Sequence, residues 1–375
     1  MTASVVVVGG GIIGLAVAWR LAQTDRAVTV VDPAPGTAAS HASAGMLCPV
    51  NEVRYGEEGL VALHLAAYER WPAFAAQLEA ASGTDVGLRC DGALAVALDD
   101  DDLRALEQVR RFQEELGLPV RRLRSRDCRE LEPMLAPRVR GGVSVERESS
   151  VDPRRVCAAL TVAGRAAGVS FVDRHLAEVV VRAGRVCGVV LDDGGELCGD
   201  TVVLALGAWS ATVRGLPAEV VPPVRPVKGQ ILRLRFDPSS PPLTRTVHGL
   251  VRGRSVYLVP RADGELVVGA TVEERGFDTS VTAGGVHELL EAAIELVPVV
   301  AELELLEAGA GLRPGSVDNA PVIGPTAVEG LLLATGHHRN GVLLAPLTAD
   351  AVASLVTSGA LPDEVAPFGI GRLRR

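Results

Sequence analysis

The chain contains no C-x-x-C pair, although it carries six cysteines, at Cys48, Cys90, Cys128, Cys157, Cys187 and Cys198. That scatter excludes the common zinc spacings and a disulfide framework, and it fits reduced thiols in a cytoplasmic protein. The seven histidines are dispersed apart from His337-His338, with no H-x-x-x-H spacing. No metal site is expected. There is no basic stripe, and the formal net charge is -9. A duplex nucleic-acid binder would carry the opposite balance. No basic n-region precedes the first apolar run, so a signal peptide is not expected. That run, Val5 to Trp19, is uncharged, but it is shorter than the roughly 18–20 residues of a spanning helix, and three consecutive glycines interrupt it. Stable membrane insertion is therefore not expected. Repeats, low-complexity tracts and a Pro/Ser/Gly linker are all absent. The terminal pair Arg374-Arg375 reads as a solvated tail.

What is present is apolar material: 48% of 375 residues, enough for two cores. The start reads strand, turn, helix, strand. "SVVVV" suits a central parallel strand covered on both faces. "GGGIIG" is a turn, "LAVAWRLAQ" a helix, and "AVTVVD" a second strand ending in an acid. A helix is expected over 60–82, with Leu60, Leu63, Ala67, Trp71 and Phe74 near helical spacing. The acidic run Asp99 to Asp102 reads as a helix cap rather than a metal site. Asp152 and Pro153 read as the N-cap and first residue of another helix. From about residue 225 the pattern turns strand-rich, and it returns to strand and helix at the end. Two interleaved domains fit this order better than two in series.

Gly9, Gly11 and Gly14 form G-x-G-x-x-G. The first glycine permits the tight turn and the second lets backbone approach a pyrophosphate. The third lets the helix pack close to the strand, and its dipole favours the anion. Asp32 lies 18 residues beyond Gly14, placed to accept from a ribose diol. This turn predicts a dinucleotide but leaves FAD and NAD both open.

Longer stretches separate the two. "GGGIIGLAVAWRLA", "ASAGMLCP", "SVDPRRV", "LALGAWS", "RPVKGQILRL", "VYLVPRADGELVVGATVEE", "GLRPGSVDNAPVIGP" and "TGHHRNGVLLAPLTA" span nearly the whole chain. Together they resemble the D-amino-acid-oxidase-like FAD-dependent oxidoreductases, and within them the glycine oxidases of thiamine biosynthesis. The resemblance implies an α/β fold in which a Rossmann-like FAD-binding domain (1–85, 149–222, 310–375) interleaves with a strand-rich antiparallel substrate-binding domain (86–148, 223–309).

It also implies cofactor contacts from Gly9, Gly11, Ile12, Ile13, Gly14, Asp32 and Pro33. Further contacts are implied from the small-residue segment Ala39, Ser40, Ala44, Gly45 and Met46, and from Gly207. Leu176 is expected near adenine, with a register uncertain by one residue. His337, His338, Arg339, Asn340, Gly341, Val342 and Leu343 should form the loop and helix start facing the flavin ring. Arg313 should pair with a substrate carboxylate, helped by Tyr257, with Arg339 in support and Met46 nearby. A guanidinium suits a carboxylate because it can donate two parallel bonds. Read from the residues alone, Arg313 could instead pair with the nearby Asp318. Covalent flavin in some relatives uses a cysteine after the carboxylate-binding region; "GSVDNAPVIG" has none, so non-covalent FAD is expected. Ser255 differs from the bulkier residues expected there, which leaves substrate size open. The implied chemistry is oxidation of glycine, sarcosine or D-alanine by hydride transfer from Cα to flavin N5. Oxygen then returns hydrogen peroxide, and the imine serves thiazole synthesis. A dehydrogenase, a sarcosine oxidase-like enzyme and a non-catalytic FAD-binding subunit are the alternatives. The assembly state is open, a homo-oligomer included.

Overall fold

Valines alternate between two cores at the first strand, Ser4–Val8. The computed structural model describes residues 4–374. Arg375 and the side chain of Arg374 lie outside that description, and with them the expected tail. Val5 and Val7 enter a core shared with the helices Ile12–Ala22, Val61–Ser82, Pro153–Ala166 and Gly341–Ser358. Val6 and Val8 enter a second core, against the small sheet of strands Leu176–Arg182, Arg185–Leu191 and Glu196–Cys198. Both faces of the strand are thus buried, which is why its sequence is uninterrupted valine.

Ser4–Val8 pairs in parallel with Ala27–Val31 on one side and Thr201–Leu204 on the other. The sheet extends through Ser170–Val172 at one edge. At the other edge Leu331–Thr335 pairs with Val322–Pro325, which is antiparallel. The segment His338–Ser358 is long and apolar enough to cross a membrane, but most of it is buried inside the fold. Its apolar character is explained by packing against Ile12–Ala22 and Val61–Ser82.

The second sheet has eight strands. Glu304–Gly315 pairs with Arg225–Arg235, followed by Glu265–Gly269, Arg254–Pro260, Thr246–Val251, Ala93–Ala97, Gly141–Val145 and Arg121–Arg124. All neighbours are antiparallel except Ala93–Ala97 with Thr246–Val251. The helix Ala283–Leu296 buries Leu289, Ala293 and Leu296 on one face, against Leu232, Leu258 and Val268. Ile231, Tyr257, Val259 and Val267 point from the other face toward Ala44 and Met46 of the dinucleotide-type unit. The functional cavity forms across that second face.

One expected boundary needs correction. The division between 309 and 310 falls inside Glu304–Gly315, which stays in register with Arg225–Arg235 up to Gly315 opposite Arg225. Arg313 therefore projects from the antiparallel sheet. A continuous backbone ladder holds the strand together across the point where the sequence turns glycine-rich.

The caps form through local chemistry. Asp99 accepts from the backbone N–H groups of Asp101 and Asp102, at 2.9 Å each. Asp152 accepts from Arg154 N at 2.9 Å, with Pro153 in the first turn. Asp102 has a further role: buried, it accepts from Arg252 N and Gly253 N, at 2.8 Å each, and so anchors a distant hairpin turn.

Candidate active site

A large cavity of about 950 Å³ runs from the glycine turn to the antiparallel sheet. It sits at the upper end of the usual range for ligand pockets, roughly 300–1,000 Å³. One end begins at Gly9 and Gly11. Gly9 has φ +104°, and a Cβ there would lie 2.4 Å from the Ala205 carbonyl oxygen. Gly14 does not reach the cavity. Its Cα packs against the strand, where a Cβ would stand 1.8 Å from Gly9 O. Its contribution is the close helix–strand approach alone, which corrects its inclusion among contact residues.

Asp32 lines the wall and already accepts from Gly10 N at 2.7 Å and Ala34 N at 2.8 Å. Each carboxylate oxygen keeps a further lone pair for a hydroxyl. Ser40 Oγ accepts from Ile12 N at 3.0 Å and so holds the small-residue segment against the helix start. Ile12, Ile13, Pro33, Ala39, Ser40, Ala44, Gly45, Met46 and Gly207 all line the cavity. His175, Leu176 and Ala177 line it together, so the one-residue register question has a three-residue answer. A helix N-terminus, an acid placed for a diol, small-residue walls and a long cavity together fit a dinucleotide.

His337, His338, Arg339, Asn340, Gly341 and Val342 line the opposite stretch. Leu343 does not. It is buried in the helical core, and its carbonyl accepts from the Trp71 indole at 3.0 Å. The helical turn carries Leu343 away from the face that Gly341 and Val342 present. His338 takes a left-handed backbone, φ 47°, uncommon for a non-glycine and often found at functional loops. Burial lowers His337 to about 3, and burial with Arg339 beside it lowers His338 to about 4. Both are neutral at pH 7, and His337 Nε2 contacts Thr348 Oγ1 at 3.0 Å.

Arg313 lies half-buried on the cavity wall, on the strand paired with Arg225–Arg235. It forms no ion pair among the described residues. Its Nη1 donates to the Thr271 carbonyl at 3.1 Å. Asp318 is occupied elsewhere, by Arg372 at 2.8 Å. The guanidinium lies over Gly229 of the neighbouring strand, where a Cβ would stand 2.4 Å from Nη1, 2.5 Å from Nη2 and 2.6 Å from Cζ. Tyr257 is seated similarly. Its register partner is Gly269, where a Cβ would stand 2.4 Å from the phenol oxygen. Burial raises the Tyr257 phenol above its ordinary range, opposed by Arg313. The phenol stays protonated and able to donate.

Arg339 differs. Its Nε lies 2.8 Å from Glu52 Oε2, its Nη2 bonds Glu57, and the same Nη2 donates to the Glu52 carbonyl at 2.9 Å. Two carboxylates thus neutralise it. Burial alone would push Glu52 up, but Arg339, Arg54, His248 and Arg313 hold it below the usual carboxylate range. Glu57 behaves likewise, with burial outweighed by Arg339 and Asn319. The expected supporting cation is therefore a clamp on the loop that carries residues 52–57.

Sequence spacing did not reveal Gly229, Gly269, Glu52, Arg54 or Glu57. The two glycines carried a readable signal, since a glycine inside a strand often marks close approach of another group. The glutamates carried none.

Behind this wall the fold gathers Cys48, Glu148 and His248, whose ligand-type atoms lie within 4.8 Å of one another. Sequence spacing pointed to no such group. Hydrogen bonds account for it: Glu148 accepts from Asn51 N and Asn51 Nδ2, at 2.6 Å each, and from Val50 N at 3.2 Å. Burial raises Glu148 to about 7 and lowers His248 to about 4.

Comparison with known proteins agrees with this geometry. The FAD dependent oxidoreductase family, DAO, matches residues 4–355. Glycine oxidase of Geobacillus kaustophilus is 34% identical over 372 residues, covering 98% of this chain and 96% of that protein. The bifunctional protein ThiO/ThiG of Trichormus variabilis is 34% identical over 360 residues, 95% of this chain. The chain spans only about half, 53%, of that bifunctional relative. The crystal structure of the Geobacillus kaustophilus glycine oxidase superposes with a TM-score of 0.88 at 33% identity, covering 98% of this chain and 99% of the other. The chain thus belongs to the FAD dependent oxidoreductase family, with FAD as its cofactor.

Proposed function

We propose that this protein oxidises glycine and similar small amines, such as sarcosine and D-alanine. The observation that carries the proposal is Arg313: a guanidinium on the cavity wall, without a carboxylate partner among the described residues, laid flat on a glycine seat. An α-carboxylate supplies the missing anion in a planar, two-bond arrangement. Tyr257 donates a further bond from its protonated phenol. Likeness to glycine oxidases along nearly the full chain supports the amine substrate.

FAD, held non-covalently, supplies the hydride acceptor and passes the electrons on to oxygen. No cysteine lines the cavity among the described residues, which supports non-covalent binding. The protein's own task is orientation. Arg313 and Tyr257 fix the carboxylate end so that the Cα–H bond faces the acceptor. His337 and His338 are too weakly basic to abstract a proton, and Glu52 is held by Arg339. The neutral amine lone pair therefore assists hydride departure, and the resulting imine takes water to give glyoxylate and ammonia. Overall, glycine, oxygen and water give glyoxylate, ammonia and hydrogen peroxide. Likeness to ThiO/ThiG proteins supports a role for the imine in making the thiazole of thiamine.

Anaerobic titration of the purified holoprotein with glycine, sarcosine and D-alanine is the test. Bleaching of the visible flavin band, reversed by air with peroxide release, is the expected result. Bleaching that air reverses only slowly would mark a dehydrogenase instead. No bleaching by any of the three would overturn the amine assignment.

A further inference from the structure

We propose that Thr271 and Glu273 are positioning residues for substrate. The Thr271 hydroxyl takes a hydrogen bond that the sheet would otherwise give to the Thr271 carbonyl, and so releases that carbonyl to orient Arg313. This role rests on Arg313 as the holder of the substrate carboxylate.

The backbone bonds of the sheet reveal the exchange. Gly269 lies opposite Ile231 of the strand Arg225–Arg235. The chain then slips by one residue and pairs again where Glu273 meets Lys228. These two exchange both backbone bonds, Lys228 N to Glu273 O and Glu273 N to Lys228 O, at 2.9 Å each. In an antiparallel ladder such doubly bonded pairs recur at every second residue. The next one along is Gln230 with Thr271. Half of that pair forms, since Thr271 N donates to Gln230 O at 3.3 Å. The other half is diverted: Gln230 N donates to Thr271 Oγ1 at 2.8 Å. The Thr271 carbonyl is left to accept from Arg313 Nη1 at 3.1 Å. The Lys228 carbonyl lies 3.5 Å from the same nitrogen.

Glu273 orients the hydroxyl for this task. Thr271 Oγ1 donates to Glu273 Oε1 at 2.6 Å, which turns an oxygen lone pair toward Gln230 N. Gln230 Nε2 donates to the same carboxylate oxygen at 2.7 Å and to Thr282 Oγ1 at 3.0 Å. Thr282 N returns a bond to Gln230 Oε1 at 2.9 Å. The carboxylate also faces the buried Lys228, whose Nζ lies 3.6 Å from Glu273 Oε2 and 3.2 Å from Asp278 Oδ2. Ala270 and Val272 line the cavity, whereas Thr271 is buried between them and reaches the site through its carbonyl. A guanidinium tied at one nitrogen to a fixed carbonyl keeps its remaining N–H groups aimed for a carboxylate.

Thr271→Val removes the hydroxyl from a side chain of the same shape. Gln230 N can then take the Thr271 carbonyl, which closes the ladder, leaves no buried N–H unpaired, and strips Arg313 of its acceptor. Acetate, a carboxylate that binds without turnover, is titrated into the holoenzyme and read as a change in the visible flavin spectrum. Thr271→Val should weaken acetate binding about fivefold, the scale of one hydrogen bond, with melting temperature and FAD content held. KM for glycine should rise in parallel, and Thr271→Ser should restore both. Added to Arg313→Ala, Thr271→Val should change KM little further. Glu273→Ala, at a partly exposed side chain, should also weaken acetate binding, and it carries the test if Thr271→Val does not fold. Acetate affinity unmoved in the folded variants, an equal loss in Thr271→Ser, or full additivity with Arg313→Ala would overturn the positioning role. Acetate binding to the wild type without bleaching by any amine would overturn the amine reading and leave the positioning role standing.

Discussion

Replacing Gly229 with alanine separates folding from function at this site. The new Cβ would stand 2.4 Å from Arg313 Nη1, where ordinary contact begins at 3.4 Å. The guanidinium must therefore move by about 1 Å, and it can, because it is the free end of a long side chain. Backbone geometry raises no objection, since Gly229 lies in the strand Arg225–Arg235 and is not among the positive-φ glycines. Glycine to alanine at a compatible site is neutral or stabilising, by about 0.4–1 kcal/mol. Melting temperature and FAD content should hold. Activity should not: a misplacement of about 1 Å in a positioning group can cost on the order of 10²-fold in rate. The loss should appear mainly in KM for glycine, because the displaced group binds the carboxylate. Steady-state oxygen uptake measures it, with thermal melting and flavin absorbance as controls. Arg313→Ala should raise KM sharply too, with FAD still bound, and adding Gly229→Ala to it should cost little more, because the two act through one contact. A wild-type KM for Gly229→Ala, or full additivity with Arg313→Ala, would refute the glycine seat.

Arg339→Ala should act differently from Arg313→Ala, because it strands Glu52 and Glu57 in the wall. Breaking such a pair costs about 3–5 kcal/mol, so denaturant melts should show a large loss of stability; a change confined to KM would contradict the clamp. Acid should destabilise the protein through its buried histidines. His337 lies at about 3, and His64, His248 and His338 at about 4, all depressed chiefly by burial. Their contribution is complete above about 6.5 and is lost as pH falls toward those values, so the melting temperature should drop between pH 6.5 and 4. Glu148 has the opposite sign. Burial raises it to about 7, so its contribution is complete below about 4.5 and fades as pH rises through 7. Relative to Glu148→Gln, the wild type should lose melting temperature between pH 5 and 7.5; parallel curves would remove Glu148 as the cause.

Local chemistry was legible in the sequence. Gly9 could be read because the tight turn needs a backbone that side chains resist, and its φ of +104° shows that need. Asp99 and Asp152 could be read because a cap acts within three residues. The two-sided burial of Ser4–Val8 was visible as unbroken valine, and the family likeness rested on stretches spread along the chain. The family resemblance also implied that Gly14 and Leu343 touch the cofactor, as their neighbours in sequence do. The helices turn them away, Gly14 onto the Gly9 carbonyl and Leu343 into the core.

Tertiary structure alone decided which arginine is free. Arg313 and Arg339 carry the same guanidinium, and each sits near glycine in the sequence. Arg339 is taken by Glu57, 282 residues away, while Arg313 lies on Gly229 and faces open space. Asp318, near Arg313 in sequence, is drawn off by Arg372. A helix cap or a glycine turn is settled by neighbours along the chain, so residue type and spacing suffice to read it. An ion pair is settled by whatever the fold brings within about 4 Å, and no local pattern records that distance.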